Sequence, residues 1–159
     1  MRVIAILVFI LFGISISFYD VSAQIIRNLV LCKLFLFLLF YDAIILLVNQ
    51  KYPCDLGERA INFGVVALFY CILAIISNFA IGAGDIKYAL VISFFLVSTL
   101  PIGSVERGNL ISIFIAWSVG FLQALIERAH NKKPKAIPMA PALFFGAICA
   151  LFDAFLPVM

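Results

Sequence analysis

Charge is the first thing this chain lacks. Asp, Glu, Lys and Arg make up 12% of its 159 residues, where a soluble domain carries about 25%. It has one histidine, His130, and four cysteines, Cys32, Cys54, Cys71 and Cys149, none close to another. No cysteine pair has metal-ligand spacing, and none stands close enough to suggest a disulfide framework, so no metal site and no cofactor are expected. The net charge of +3 is spread over several short segments and forms no basic patch. That speaks against nucleic acid as a partner.

Grease takes the place of charge. The chain is 66% hydrophobic, with a mean hydropathy of +1.23. A soluble enzyme would expose too much apolar surface at this composition, and a disordered tail would be far more polar. The expected class is an all-α polytopic membrane protein, a single integral-membrane domain over 1–159 with no soluble domain. Its seventeen phenylalanines read as lipid-facing or packing residues.

A bilayer core takes about 20 apolar residues per helix. Six segments fit: Val3–Tyr19, Leu29–Val48, Ile61–Ala80, Ile86–Pro101, Leu110–Ile126 and Ile137–Pro157. The apolar runs do not alternate with polar residues, so barrel strands are not expected. Arg27, Lys33, Lys87, Arg128, Lys132, Lys133 and Lys135 fall on one side of this arrangement; Arg2, Lys51, Arg59 and Arg107 fall on the other. The excess of positive charge predicts loops one, three and five in the cytoplasm and both termini outside. Arg2, the apolar run and Val21-Ser22-Ala23 resemble a secretory signal with a cleavage site. Asp20 and the five later spans favour a retained first helix. Pro134, Pro138 and Pro141 suit a loop leading into the first turn of the last helix. His130, in the basic loop, reads as solvated.

Acids within spans are costly and are therefore functional candidates. Of the five aspartates, Asp55 shares a polar loop with Glu58 and Arg59 and reads as solvated. Asp153 lies near the outer end of span six, facing water or a neighbouring helix. Asp42 lies about 14 residues into span two, roughly 21 Å deep at 1.5 Å per residue. Asp20 and Asp85 share the cytoplasmic ends of spans one and four, so they are the better pair. Around Asp85, Gly82-Ala83-Gly84-Asp85-Ile86-Lys87 interrupts the apolar pattern. Gly82 and Gly84 permit a tight turn and close approach by another chain. The plain alternative makes Asp85 the N-cap of span four. Lys87 either lowers the acids' pKa by its charge or anchors the helix at the interface.

Gly82-Ala83-Gly84-Asp85-Ile86-Lys87 resembles the Gly-x-Gly-Asp-x-Lys signature of type IV prepilin peptidases, the bacterial GxGD aspartic peptidases. In that family the first aspartate is followed by a stretch ending Ile-Pro-Asn. Here Asp20 is followed by Ile26-Arg27-Asn28 at the corresponding distance, with Arg27 in place of Pro. Ile137-Pro138-Met139-Ala140-Pro141-Ala142-Leu143, with Gly146 after it, is similar to the Ile-Pro-x-x-Pro-x-Leu stretch that opens the family's last span. The three matches occur in family order across most of the chain. They resemble the short TadV/CpaA-like branch, which lacks the Cys-x-x-Cys region linked to N-methylation of mature pilin.

The resemblance implies an aspartic endopeptidase with Asp20 and Asp85 as catalytic residues, prepilins as substrate partners and no methyltransferase activity. It implies a multi-pass protein of the bacterial inner membrane, with its active site facing the cytoplasm. Two other readings stay open on the residues. Tyr19-Asp20, Tyr41-Asp42, the Gly-x-Gly-Asp and Pro141-Ala142-Leu143 are also motifs of presenilin-like and signal-peptide-peptidase-like proteases, although those have more spans. A non-enzymatic transport or assembly protein is the third.

Overall fold

Backbone polar groups inside a bilayer find no water, so long apolar segments satisfy them internally as helices. In a computed structural model the chain folds as α1 (Arg2–Ala23), α2 (Asn28–Asn49), α3 (Leu56–Ile76), α4 (Ala83–Thr99), α5 (Val105–His130) and α6 (Ala140–Phe155). The structure describes residues 2–49, 56–76, 82–101, 103–130 and 137–155, and no strand occurs among them. Lys51, Cys54, Asp55, Lys132, Lys133, Pro134 and Lys135 lie outside these residues, as does the side chain of His130. Helices α1, α2, α3 and α5 are long and apolar enough to cross a membrane, and α6 is a shorter apolar helix. The chain is a polytopic membrane protein.

The helices begin or end several residues away from the apolar runs. Helix α3 starts at Leu56, five residues before the expected Ile61, and takes Glu58 and Arg59 into its first turns. Helix α5 extends the expected Leu110–Ile126 at both ends. Hydropathy marks where lipid begins, whereas a helix continues for as long as its backbone bonds are favourable. The placement of Glu58 and Arg59 in a polar loop is corrected accordingly. Arg59 is buried, and its Nη1 lies 3.1 Å from Asp42 Oδ2.

Helix α1 turns one stripe inward. On α1 the buried residues are Ala5, Phe9, Gly13, Ile16 and Asp20, spaced three or four apart along one face. Leu7, Leu11, Ile14 and Phe18 point outward and are exposed, as lipid-facing residues must be. Phe9 stacks on Phe95 of α4 with ring centroids 3.8 Å apart. A Cβ at Gly13 would collide with the Phe144 ring of α6. The inward face of α1 therefore ends on a carboxylate.

Helix α4 has no polar face, and a helix that is apolar all round belongs in the interior. It touches all five other helices. Tyr88, Phe95, Leu96 and Thr99 are fully buried. Helices α5 and α6 form the most extensive pair in the bundle. Small residues allow it, as in membrane bundles generally. A Cβ at Gly146 would run into the Ser112 backbone carbonyl, which cannot rotate away. Gly146→Val is expected to lower stability by about 1–3 kcal/mol, the usual cost of overpacking. Detergent-micelle unfolding would check it; an unchanged midpoint would mean that α5 and α6 are not held at this distance.

Candidate active site

The helices alternate in direction, so the C-terminus of α1 and the N-termini of α2, α4 and α6 share one end of the bundle. Asp20 and Asp85 line one cavity there, of about 300 Å³. Asp20 is 5% exposed and comes from the last turn of α1. Asp85 is half-buried and comes from the first turn of α4. Gln24, Ile26, Asn28 and Lys87 complete the mouth.

The backbone explains how the two acids reach the cavity. After α1 the chain turns at Gln24, whose φ of 53° is left-handed, and the Gln24 N–H donates to the Asp20 carbonyl at 2.8 Å. Arg27, where the resembled family has proline, places its guanidinium 4.8 Å from the centre of the Tyr19 ring, a cation–π contact. Its carbonyl accepts from Val30 N–H at 3.0 Å and opens α2.

The plain alternative, Asp85 as the N-cap of the fourth helix, is overturned. Gly82 is the N-cap, with φ −60° and ψ 132°, and no side chain caps the helix. Asp85 sits three residues on, and its N–H donates to the Gly82 carbonyl at 3.0 Å. Neither glycine of the motif needs a left-handed backbone; both provide room. A Cβ at Gly82 would stand 2.9 Å from Asp85 Oδ2, and one at Gly84 would stand 3.0 Å from Ile26 Cβ. Gly82 thus clears space for the carboxylate, and Gly84 lets the α1–α2 connection approach α4.

The Ala140 N–H donates to Asp20 Oδ2 at 2.8 Å in a buried hydrogen bond. Ala140 is the first residue of α6, where backbone donors lack intrahelical partners and the helix dipole favours negative charge. Pro138 and Pro141 flank it, and neither can supply an N–H. The late Ile-Pro-x-x-Pro segment therefore meets Asp20 directly. Sequence reasoning missed this bond, because nothing local marks two residues 120 apart in the chain as partners.

Asp85 stands ahead of the apolar run that begins at Ile86. Burial first, and the negative charge of Asp20 second, push its carboxyl up from 3.8 to about 6. Lys87 does not set this value; its Nζ donates to Asn28 Oδ1 at 3.1 Å, tying α4 to α2 at the cavity mouth. Asp20→Asn removes one of the two causes and leaves burial. Asp85 is expected to titrate lower in that variant, yet still above 3.8. Infrared titration of isotope-labelled aspartate would read the shift, and an unmoved midpoint would show that the acids do not sense each other.

The other two aspartates among the described residues are engaged elsewhere. Asp42 pairs with Arg59, and Ser98 Oγ lies 3.0 Å from the same carboxylate oxygen. Asp153 pairs with Arg107 at 2.8 Å. Both pairs occupy the end of the bundle opposite Asp85.

Fold and site together define a polytopic membrane protein, with six helices among its described residues, that gathers two carboxylates in one cavity at a helix-terminal end. Comparisons with protein-family models, with curated proteins and with solved structures returned no match.

Proposed function

We propose that the protein is an aspartic endopeptidase that removes the leader peptide of prepilins at the cytoplasmic face of the bacterial inner membrane, for pilus assembly or secretion. One observation carries the reading: Asp20 and Asp85, from different helices, line the same cavity. The approach of the Ile-Pro-x-x-Pro segment to Asp20 supports it, because three separate stretches of the resemblance then converge on one place.

Two neighbouring carboxylates resist double ionisation and share a proton, so the titration belongs to the pair. The ionised member takes a proton from water as its oxygen attacks the scissile carbonyl carbon. The protonated member donates to the carbonyl oxygen and stabilises the tetrahedral intermediate. Collapse breaks the C–N bond, and a proton from the pair reaches the leaving amine. Ala140 N–H and the N-terminus of α6 hold Asp20 in place while charge moves. Cleavage at the bundle's end lets the polar leader stay in water while the substrate's hydrophobic helix stays in lipid.

The test is to reconstitute the purified protein in liposomes with a prepilin and to read the products by mass spectrometry. A single cut at the leader junction is expected. A cut inside the hydrophobic helix would favour an intramembrane protease, and no cut would contradict the peptidase reading.

A further inference from the structure

A second hollow, of about 360 Å³, opens on the flank of the bundle between α2 and α4. Asn28 and Lys87 line both hollows, so this one begins at the mouth of the acid cavity. Its walls are apolar: Leu31, Cys32 and Phe35 from α2, Leu90 and Val91 from α4, and Phe63 from α3. At the far end the Phe94 ring lies 5.2 Å from Phe35 and 6.4 Å from Phe63. Asn28 to Phe35 and Lys87 to Phe94 are each seven residues. That is two helical turns, or about 10 Å.

We propose that this groove seats the first two turns of the substrate's hydrophobic helix, immediately beyond the cut; the assignment rests on the peptidase reading above. A peptide held between Asp20 and Asp85 must continue from the cavity into lipid. The groove is an apolar hollow that shares the cavity's mouth. Two turns present side chains at i, i+3, i+4 and i+7 along one face, which matches a groove of this length. At the junction, peptide groups near the cut have left the helix and need partners. The Asn28 amide and the Lys87 ammonium stand at that point and can supply them. Another apolar hollow, between α3 and α5 with Asn62, Glu106 and Asn109 in its lining, shares no residue with the acid cavity; the α2–α4 groove shares Asn28 and Lys87 with it.

Cys32 is exposed in the wall and serves as a built-in reporter. The uncleaving variant Asp85→Asn would be mixed in liposomes with prepilins carrying single cysteines along the start of the helix, then oxidised with copper phenanthroline. Disulfides to Cys32 are expected at positions three or four residues apart, absent in Cys32→Ser, with none to Cys71 or Cys149. In an otherwise wild-type protein, Leu90→Trp should fill the groove and raise KM about ten-fold or more with little change in kcat, the scale of a misfitted apolar pocket. If the wild-type protein cuts the prepilin but Cys32 joins no substrate position, or joins Cys32 of a second copy instead, the groove assignment is overturned and the peptidase reading stands. If the wild-type protein cuts no prepilin, both fall.

Discussion

Asp85→Asn and Asp20→Asn are each expected to slow leader removal on the order of 10³-fold or more, within the range that positioned acid–base groups contribute. Asparagine keeps the size of the side chain and its hydrogen-bonding capacity but can neither accept nor deliver the proton. At position 20 the amide oxygen can still accept from Ala140 N–H, so α6 should stay docked on α1. At position 85 the first turn of α4 is closed by backbone bonds to Gly82, which the change does not touch. The loss should therefore appear in kcat while folding is retained. Gel-shift kinetics with a co-expressed prepilin, beside micelle unfolding of each variant, would check both halves. Asp42→Asn supplies the contrast. Its carboxylate lies at the opposite end of the bundle, bonded to Arg59 and Ser98, and processing should continue.

Arg59→Leu is expected to be the most destabilising single change outside the cavity. Arg59 is 8% exposed, and its partner Asp42 is also withdrawn from solvent. The pair ties α2 to α3, and Ser98 brings in α4, its hydroxyl lying 3.0 Å from Asp42 Oδ2 and 2.8 Å from the Phe94 carbonyl. Removing the cation strands a carboxylate in a low-dielectric site, which costs about 3–5 kcal/mol when one partner of a buried pair is deleted. Neutralising Asp42 in the same protein should restore most of that loss, because a neutral amide needs no counter-ion. Denaturation by SDS titration in micelles would measure the cycle. A loss below about 1 kcal/mol, the scale of an exposed pair, would mean that the pair is effectively solvated. Molecules of Arg59→Leu that remain folded should still cleave, since the acids are about 20 Å away at 1.5 Å per helical residue.

The six helices among the described residues and the meeting of Asp20 with Asp85 were legible because both follow from one-dimensional quantities, apolar run length and depth. Counting residues from the helix ends put Asp42 at the wrong depth for Asp85, and Asp42 lies with Arg59 and Ser98. Arg59 reads as a loop residue because it precedes the apolar run at Ile61, whereas α3 starts earlier and directs it inward. The glycines before Asp85 also allow it to be read as a cap; Gly82 takes that position and leaves Asp85 three residues further in. The bond from Ala140 and the shared groove at Asn28 and Lys87 depend on packing between distant helices. No local pattern encodes them.

The central claim is that Asp20 and Asp85 act as one catalytic unit. Its most direct test is the leader-removal rate of the wild type, Asp20→Asn, Asp85→Asn and the double variant under one set of conditions. The expected result is that each single variant is as slow as the double, because residues that act as a unit are strongly non-additive. Wild-type rates in either single variant would contradict it.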